Sequence, residues 1–324
     1  MIKESTQNIL KDSKNLLAFS AGVDSSALFF ILLEMGISFD IAIVNYGLRE
    51  QSKEEVAYAQ RLAKKYNKKI FLANAPKFNS NFEANARDFR YSFFQEIISK
   101  NGYTVLLTAH QLNDKLEWLL MGLVRGAGLS ELSGMQEIST KENYQIIRPL
   151  LEQTKDDLLD FLNSKKYNYF IDSSNFETKY QRNRFRPISD TILEFGKNGV
   201  NRSFEILEQE SKYFKESFKT IFAKDKLRVL KLKSREFLPY ATSYTLKELG
   251  YLLSGKERDI LKIKDSIVAG RKWAIEYSSG LLYIAPYVKT VIAKEQKEIY
   301  RIAKIPPKIR GYCFSENVSL EGLI

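Results

Sequence analysis

The stretch from Leu16 to Gly36, LLAFSAGVDSSALFFILLEMG, constrains the fold more than any other in the chain. It is a short apolar run, a turn of small residues and a longer apolar run. That pattern predicts a buried strand over Leu16–Phe19 and a helix over Ser25–Met35 ended by Gly36, a residue free to take the left-handed cap. The turn between them, Ser20, Ala21, Gly22, Val23, Asp24 and Ser25, gathers small side chains and backbone N–H groups at a helix N-terminus. Partial positive charge collects there, so the turn suits a phosphate. It contains no lysine and does not end in Gly-Lys-Ser/Thr, which excludes the nucleotide loop of kinases and GTPases.

The next segments repeat the theme. Phe39–Asn45 has the continuous apolar character of a strand covered on both faces. A helix is expected over Lys53–Tyr66, a strand over Lys69–Ala73, a helix over Phe82–Lys100 and a strand over Thr104–Thr108. Strands and helices alternating at these lengths imply a doubly wound, mostly parallel α/β sheet, whose ligands bind beyond the carboxyl ends of its strands. Ser20, Asn45 and His110 all follow strands and can converge on one crevice.

His110, the single histidine, opens TAHQLNDKLEW. With a helix starting near Leu112 or Asn113, Asp114 and Glu117 share one face. Two carboxylates there could bind an ammonium group, hold Mg²⁺ or accept a proton, or could simply complement the helix dipole. Arg87 and Arg90, three apart on the preceding helix, could clamp a phosphate. The run QRNRFRP, Gln181–Pro187, joins Arg182, Arg184 and Arg186 to an aromatic residue, a composition suited to RNA backbone and unstacked bases, or to a basic solvated loop.

These motifs fit known patterns. The turn resembles the Ser-Gly-Gly-x-Asp-Ser loop of the ATP pyrophosphatases, which cleave ATP between its α- and β-phosphates. Ala21 stands where that family has glycine and restricts positive φ. His110, Asp114 and Glu117 match the His-x-x-Asp-Asp-x-x-Glu signature of the tRNA(Ile)-lysidine synthetases, with Asn113 replacing the first Asp. Tyr46-Gly47-Leu48-Arg49 is similar to that family's His-Gly-Leu-Arg, Tyr46 being the departure. Ala86 to Tyr91, LVRGAGLSELSGM from Leu123 to Met135, Arg148-Pro149-Leu150, Asp172 to Asn175 and Arg182 to Arg186 complete an ordered series.

The resemblance implies ATP-dependent ligation of free L-lysine to C2 of the wobble cytidine in the tRNA(Ile) with a CAU anticodon. The path runs through an adenylated tRNA and releases AMP and pyrophosphate. It further implies that residues 20–25 hold ATP, with Asp24 also a candidate Mg²⁺ contact. Asp114 and Glu117 would bind lysine or deprotonate its amine, and His110 would shape the pocket. A related thiolase chemistry would need cysteine pairs, and the chain has only Cys313.

At 324 residues two domains are expected, 1–195 for adenylation and 196–324 for a helical connector and a small basic α+β unit. Leu193–Ala223 reads as the helical connector, interrupted by Gly196 and Gly199. Thr245–Ser254 looks helical, Gly255–Arg258 reads as a break, and a hairpin is expected around Ser278-Ser279-Gly280. Residues 1–199 carry 26 Lys and Arg against 24 Asp and Glu, whereas residues 200–324 carry 24 against 15. The basic excess fits a polyanionic partner or merely solvated faces. The segment also resembles the small tRNA-contacting module of the short lysidine synthetases, which implies Lys262, Arg271 and Lys272 as tRNA contacts. No apolar run reaches bilayer length and the N-terminus has no hydrophobic signal core, so a cytoplasmic, membrane-free protein is expected.

Overall fold

A computed structural model describes residues 1–47, 51–78, 80–171 and 181–318. Leu48, Arg49 and residues 172–175, named above for their resemblance, lie outside the described residues. The chain divides into two compact units, Met1–Glu117 with Met135–Asn201, and Trp118–Gly134 with Arg202–Ile324.

The first unit is built on a six-stranded sheet of order β3-β2-β1-β4-β6-β5. Its strands are β1 (Asn15–Ala18), β2 (Phe39–Asn45), β3 (Ile70–Asn74), β4 (Val105–Leu107), β5 (Ile138–Thr140) and β6 (Gln145–Ile147). All pairs are parallel except β5 with β6. Side chains alternate along the strands, which is what a sheet covered on both faces requires. Leu17, Ile41, Ile43 and Leu107 pack with α2 (Val23–Glu34) and α7 (Lys155–Ser164), while Leu16, Ala42, Leu106 and Ile146 pack with Phe94, Ile97 and Ile98 of α4 (Phe82–Asn101). Helix α2 is apolar on every side, and Leu28, Phe29 and Leu32 are fully enclosed. It ends as expected: Gly36 has φ +66°, its N–H donates to Leu33 O at 3.0 Å, and Ile37 N–H donates to Leu32 O at 3.0 Å. Helices α3 (Gln51–Lys65) and α4 fall within two residues of their expected ranges.

The second unit carries an antiparallel sheet of order β7-β8-β11-β10-β9. Its strands are β7 (Phe218–Lys224), β8 (Leu227–Leu232), β9 (Ser266–Ala269), β10 (Trp273–Ser278) and β11 (Leu281–Pro286). Helices α9 (Leu238–Glu248) and α10 (Gly255–Ile263) share a core with Leu230, Ile275 and Ile284. On the opposite face, α11 (Lys294–Ile302) and α12 (Pro307–Ser315) share one with Val229, Tyr283 and Ala285. The expected hairpin is β10–β11, with Ser279 and Gly280 both at positive φ in its turn.

Three sequence expectations are corrected. The connector ends sooner: α8, Gln181 to Lys215, is two helical stretches that meet at a kink at Gly196, as expected, but it is not interrupted at Gly199, and residues 218–223 belong to β7. The β-branched and aromatic residues of FKTIFAK favour the strand. The alternative of a solvated loop over residues 181–187 falls away, because they open α8. Helix α9 lies seven residues upstream of its expected start and stops before Gly250, which has φ +85°. Gly255–Arg258 is the first turn of α10, because Ser254 accepts from Glu257 N and Glu257 reaches back to Ser254, closing a capping box.

Residues 118–134, expected in the first domain, cluster with the second unit. There α6 (Leu129–Leu132) offers Glu131 to Arg258, whose Nη2 lies 3.0 Å from Glu131 Oε1 and whose Nη1 donates to Gly126 O at 2.7 Å. Arg258→Met is expected to destabilise this unit by about 3–5 kcal/mol, since it strands a buried carboxylate. The measurement is chemical denaturation followed by the fluorescence of Trp118 and Trp273, both in this unit.

Candidate active site

In the order β3-β2-β1-β4, the chain leaves β1 toward one sheet edge and returns through α4 to β4 on the other side. The carboxyl ends of β1 and β4 therefore flank the switch point where such sheets bind ligands. Residues 20–25 follow β1, and His110 and α5 (Leu112–Leu123) follow β4.

The turn after β1 is tightly wired. Ala21 has φ +63° and is fully buried. A residue with a Cβ costs about 1–2 kcal/mol in that conformation, and it persists where the surroundings over-determine it. Here the Ala21 carbonyl accepts from Ser26 Oγ at 3.2 Å and from Phe170 N–H at 2.9 Å. Ser25 Oγ receives the Ser20 N–H at 3.2 Å and lies 3.0 Å from Ser20 Oγ. Gly22 caps α2 in an extended conformation, and a Cβ there would meet only Ser20 Oγ, at 3.5 Å. Among the described residues, no other atom within 4 Å demands glycine at that position.

Asp24, in the first turn of α2, has a buried Oδ1 without a hydrogen-bond partner. Burial, with Asp114 adding to it, pushes its carboxyl up to about 7. His110 is held neutral: burial, reinforced by Arg148, Arg182 and Arg87 against the pull of Asp114, brings it down to about 4. Its Nδ1 sits 2.9 Å from Thr108 Oγ1.

Asp114 and Glu117 do share one face of α5, and both are already engaged. Arg182 Nη2 donates to Asp114 Oδ1 and Arg182 Nε to Glu117 Oε2 at 2.5 Å, while Arg186 Nε lies 3.4 Å from Glu117 Oε1. Asp114 Oδ2 also accepts the Gln111 N–H at 2.9 Å. Burial raises the Glu117 carboxyl above its ordinary value despite Arg182. No local pattern signals this pairing, since 68 residues separate Arg182 from Asp114. Asn113 is buried and fully used: its amide donates to Asp190 Oδ1 at 2.6 Å and its Oδ1 accepts the Lys155 N–H at 3.1 Å. An aspartate there could not make the first bond while Asp190 is ionised.

The two arginines of α4 part company. Arg87 lies over the Tyr91 ring at 4.6 Å, whereas Arg90 acts on Tyr46, whose hydroxyl donates to Ala86 O at 3.2 Å. Arg184 is exposed in the first turns of α8. In the second unit, Lys262 pairs with Asp259 at 2.8 Å on the surface, and exposed Arg271 and Lys272 close the turn between β9 and β10. Among the described residues, no group of three or more His, Cys, Asp or Glu side chains could hold a metal, and no helix is long and apolar enough to cross a membrane. Phe170, which pins the turn, and Asp190 and Lys155, which pin Asn113, carried no sequence signal.

The pH response can be isolated because His110 is the only histidine. Its folded pKa lies below the unfolded value of about 6.5, so it costs stability as pH falls from there toward 4. Asp24, raised above its unfolded value, adds stability as pH falls from about 7, the opposite sign. His110→Gln should therefore become progressively more stable than the parent between pH 7 and 4.5 in urea midpoints. Parallel pH profiles for the two proteins would refute the burial of a neutral imidazole.

A family model described as "PP-loop domain" matches residues 1–190. Proteins named tRNA(Ile)-lysidine synthase are similar over nearly the whole chain. That of Wolinella succinogenes is 44% identical, covering 95% of each chain; that of Campylobacter jejuni is 41% identical, covering 99% of each. That of Helicobacter pylori is 36% identical over 95% of this chain and 91% of its own. A U34-tRNA thiolase from Methanococcus maripaludis superposes with a TM-score of 0.53 at 18% identity, covering 62% of this chain and 74% of that one, a likeness of fold alone. With the signature residues gathered at one sheet edge and relatives matching end to end, the chain belongs to the tRNA(Ile)-lysidine synthase family.

Proposed function

We propose that the protein joins lysine to C2 of the wobble cytidine in the CAU anticodon of tRNA(Ile), through an adenylated tRNA. In the first step the C2 oxygen attacks the α-phosphorus of ATP and pyrophosphate leaves. In the second, the lysine ε-amine attacks C2, AMP departs with the oxygen, and the amine gives up a proton. The observation that carries this reading is a carboxylate pair already holding a cation, at the same sheet edge as an open helix N-terminus. The N–H groups over Gly22 would receive the triphosphate. Lysine would take the place of Arg182 on Asp114 and Glu117, and Glu117, its proton affinity raised by burial, would accept the amine proton.

The unpartnered Asp24 oxygen fits a cation better than a bare carboxylate. Mg²⁺ bound through one carboxylate and the ATP phosphates would neutralise charge as pyrophosphate leaves, in keeping with the absence of an all-protein metal cage among the described residues. Arg184, Lys262, Arg271 and Lys272 would meet tRNA phosphates, and Arg182, Arg186, Arg87 and Arg90 would serve the reacting end. A cytoplasmic setting fits these substrates. Cys313 is buried in the second unit's core, where it could not take part in sulfur transfer.

The activity is tested by incubation with ATP, lysine and tRNA: AMP should form only when all three are present. A tRNA-binding protein with a degenerate loop would form none.

Two variants probe the halves of the site. Gly22→Ala should keep the parent's thermal stability yet weaken ATP binding at least tenfold, because the added methyl group meets nothing but an approaching ligand. Unchanged ATP affinity would remove the turn from the ATP site. Glu117→Gln should leave formation of adenylated tRNA nearly intact and raise the lysine requirement roughly ten- to a hundredfold, the loss of one charge-assisted hydrogen bond. If Glu117 acts instead as the base, the defect persists at saturating lysine.

A further inference from the structure

Arg148 has no part in the scheme above, and its surroundings are unusual. It follows β6 directly, and the Thr108 N–H donates to the carbonyl of Ile147 at 3.0 Å, so Arg148 stands at the same carboxyl edge as Thr108 and His110. The residue is 8% exposed. One end of its guanidinium is fixed: Nη1 donates to Gln136 O at 2.8 Å and to Ser139 Oγ at 2.9 Å. Nε is buried with no partner, and no carboxylate pairs with Arg148 among the described residues. Tyr91 favours the charged guanidinium of Arg148, and Arg87, itself spread over the Tyr91 ring, acts against it as a like charge.

A buried guanidinium beside another arginine, with neither neutralised by an acid, is costly as it stands. Burial lowers the proton affinity of Arg148, with Tyr91 working against it and Arg87 with it, and both arginines help keep His110 neutral. The arrangement is what an arriving anion would relieve. Its Nη1 contacts orient the fork and leave the Nε edge, the one used for two-pronged recognition of oxyanions, without a partner.

We propose that Arg148 is the seat of a phosphate group, held by the unpartnered Nε edge of its guanidinium, with Arg87 as a second positive charge. The phosphate could come from ATP or from the tRNA backbone beside the wobble nucleotide. This identification rests on the reading that both bind this crevice, so binding of each to the unmodified protein is measured first. Failure there defeats that reading rather than the seat.

The test is Arg148→Lys, which keeps the charge and a donor for Gln136 but loses the fork. Melting temperature should stay within a few degrees. Affinity for one ligand, ATP measured without tRNA or tRNA measured without ATP, should fall at least tenfold, and the ligand affected is the phosphate's source. Wild-type affinity for both, in a folded variant, overturns the proposal, as does a loss confined to lysine, which would mean a carboxylate. Should the variant not fold, the wild-type protein answers through arginine Nε–Hε NMR. The Arg148 resonance should shift on addition of ATP or of tRNA, and a resonance that neither moves overturns the proposal.

Discussion

The crevice depends on how the charge of Glu117 is balanced. Its side chain is almost wholly buried, and an isolated carboxylate in that position would cost several kcal/mol. Arg182 and Arg186 meet that cost, and in doing so they tie the start of α8 to the first turns of α5. Burial alone would lower the proton affinity of Arg182, but Asp114 and Glu117 outweigh it and raise it, so the guanidinium stays charged. The same ion network that closes the unit thus presents, in its carboxylates, what a lysine ammonium would need. A site that is electrostatically satisfied before its substrate arrives can discriminate by exchange, one cation for another, without exposing a bare acid.

The turn after β1 works by the opposite principle, leaving groups unsatisfied among the described residues. A Cβ on Gly22 would meet only Ser20 Oγ among them, and Asp24 holds an oxygen with no hydrogen-bond partner. Ala21 carries the backbone strain that shapes the turn, and Ser26 and Phe170 clamp its carbonyl. An alanine can stand in the glycine position because the fold holds it there: the strain is small beside the packing around β1 and α2, whose residues are among the most deeply enclosed in the chain.

The units are organised by burial as much as by chain order. Helix α5 begins in one unit with Asp114 and Glu117 and continues into the other with Trp118. The segment after it joins the second unit because Arg258 satisfies both Glu131 and the Gly126 carbonyl, and because Lys247 donates to the Gly134 carbonyl at 3.1 Å. The glycines of RGAGL permit these approaches: Gly126 has φ +67°, and a Cβ on Gly128 would press on the Arg258 guanidinium at 3.4 Å.

The sequence by itself determined the parallel sheet, the placement of α2 to α5, the small-residue turn between β1 and α2 and the shared face of Asp114 and Glu117. Each of these is written in local periodicity or in a short motif whose geometry follows from backbone sterics. Local pattern failed where two local signals competed. Gly255 looked like a break, although Ser254 and Glu257 already spelled a capping box, and composition left a solvated loop as an alternative for the arginines of 181–187, which open a helix. Only the tertiary structure decided that Arg182 occupies the carboxylates, that Asn113 anchors Asp190, that Arg148 is buried without an acid and that residues 118–134 pack with the second unit. Those facts depend on contacts between residues far apart in the chain, and such contacts are set by which charges and surfaces burial brings together.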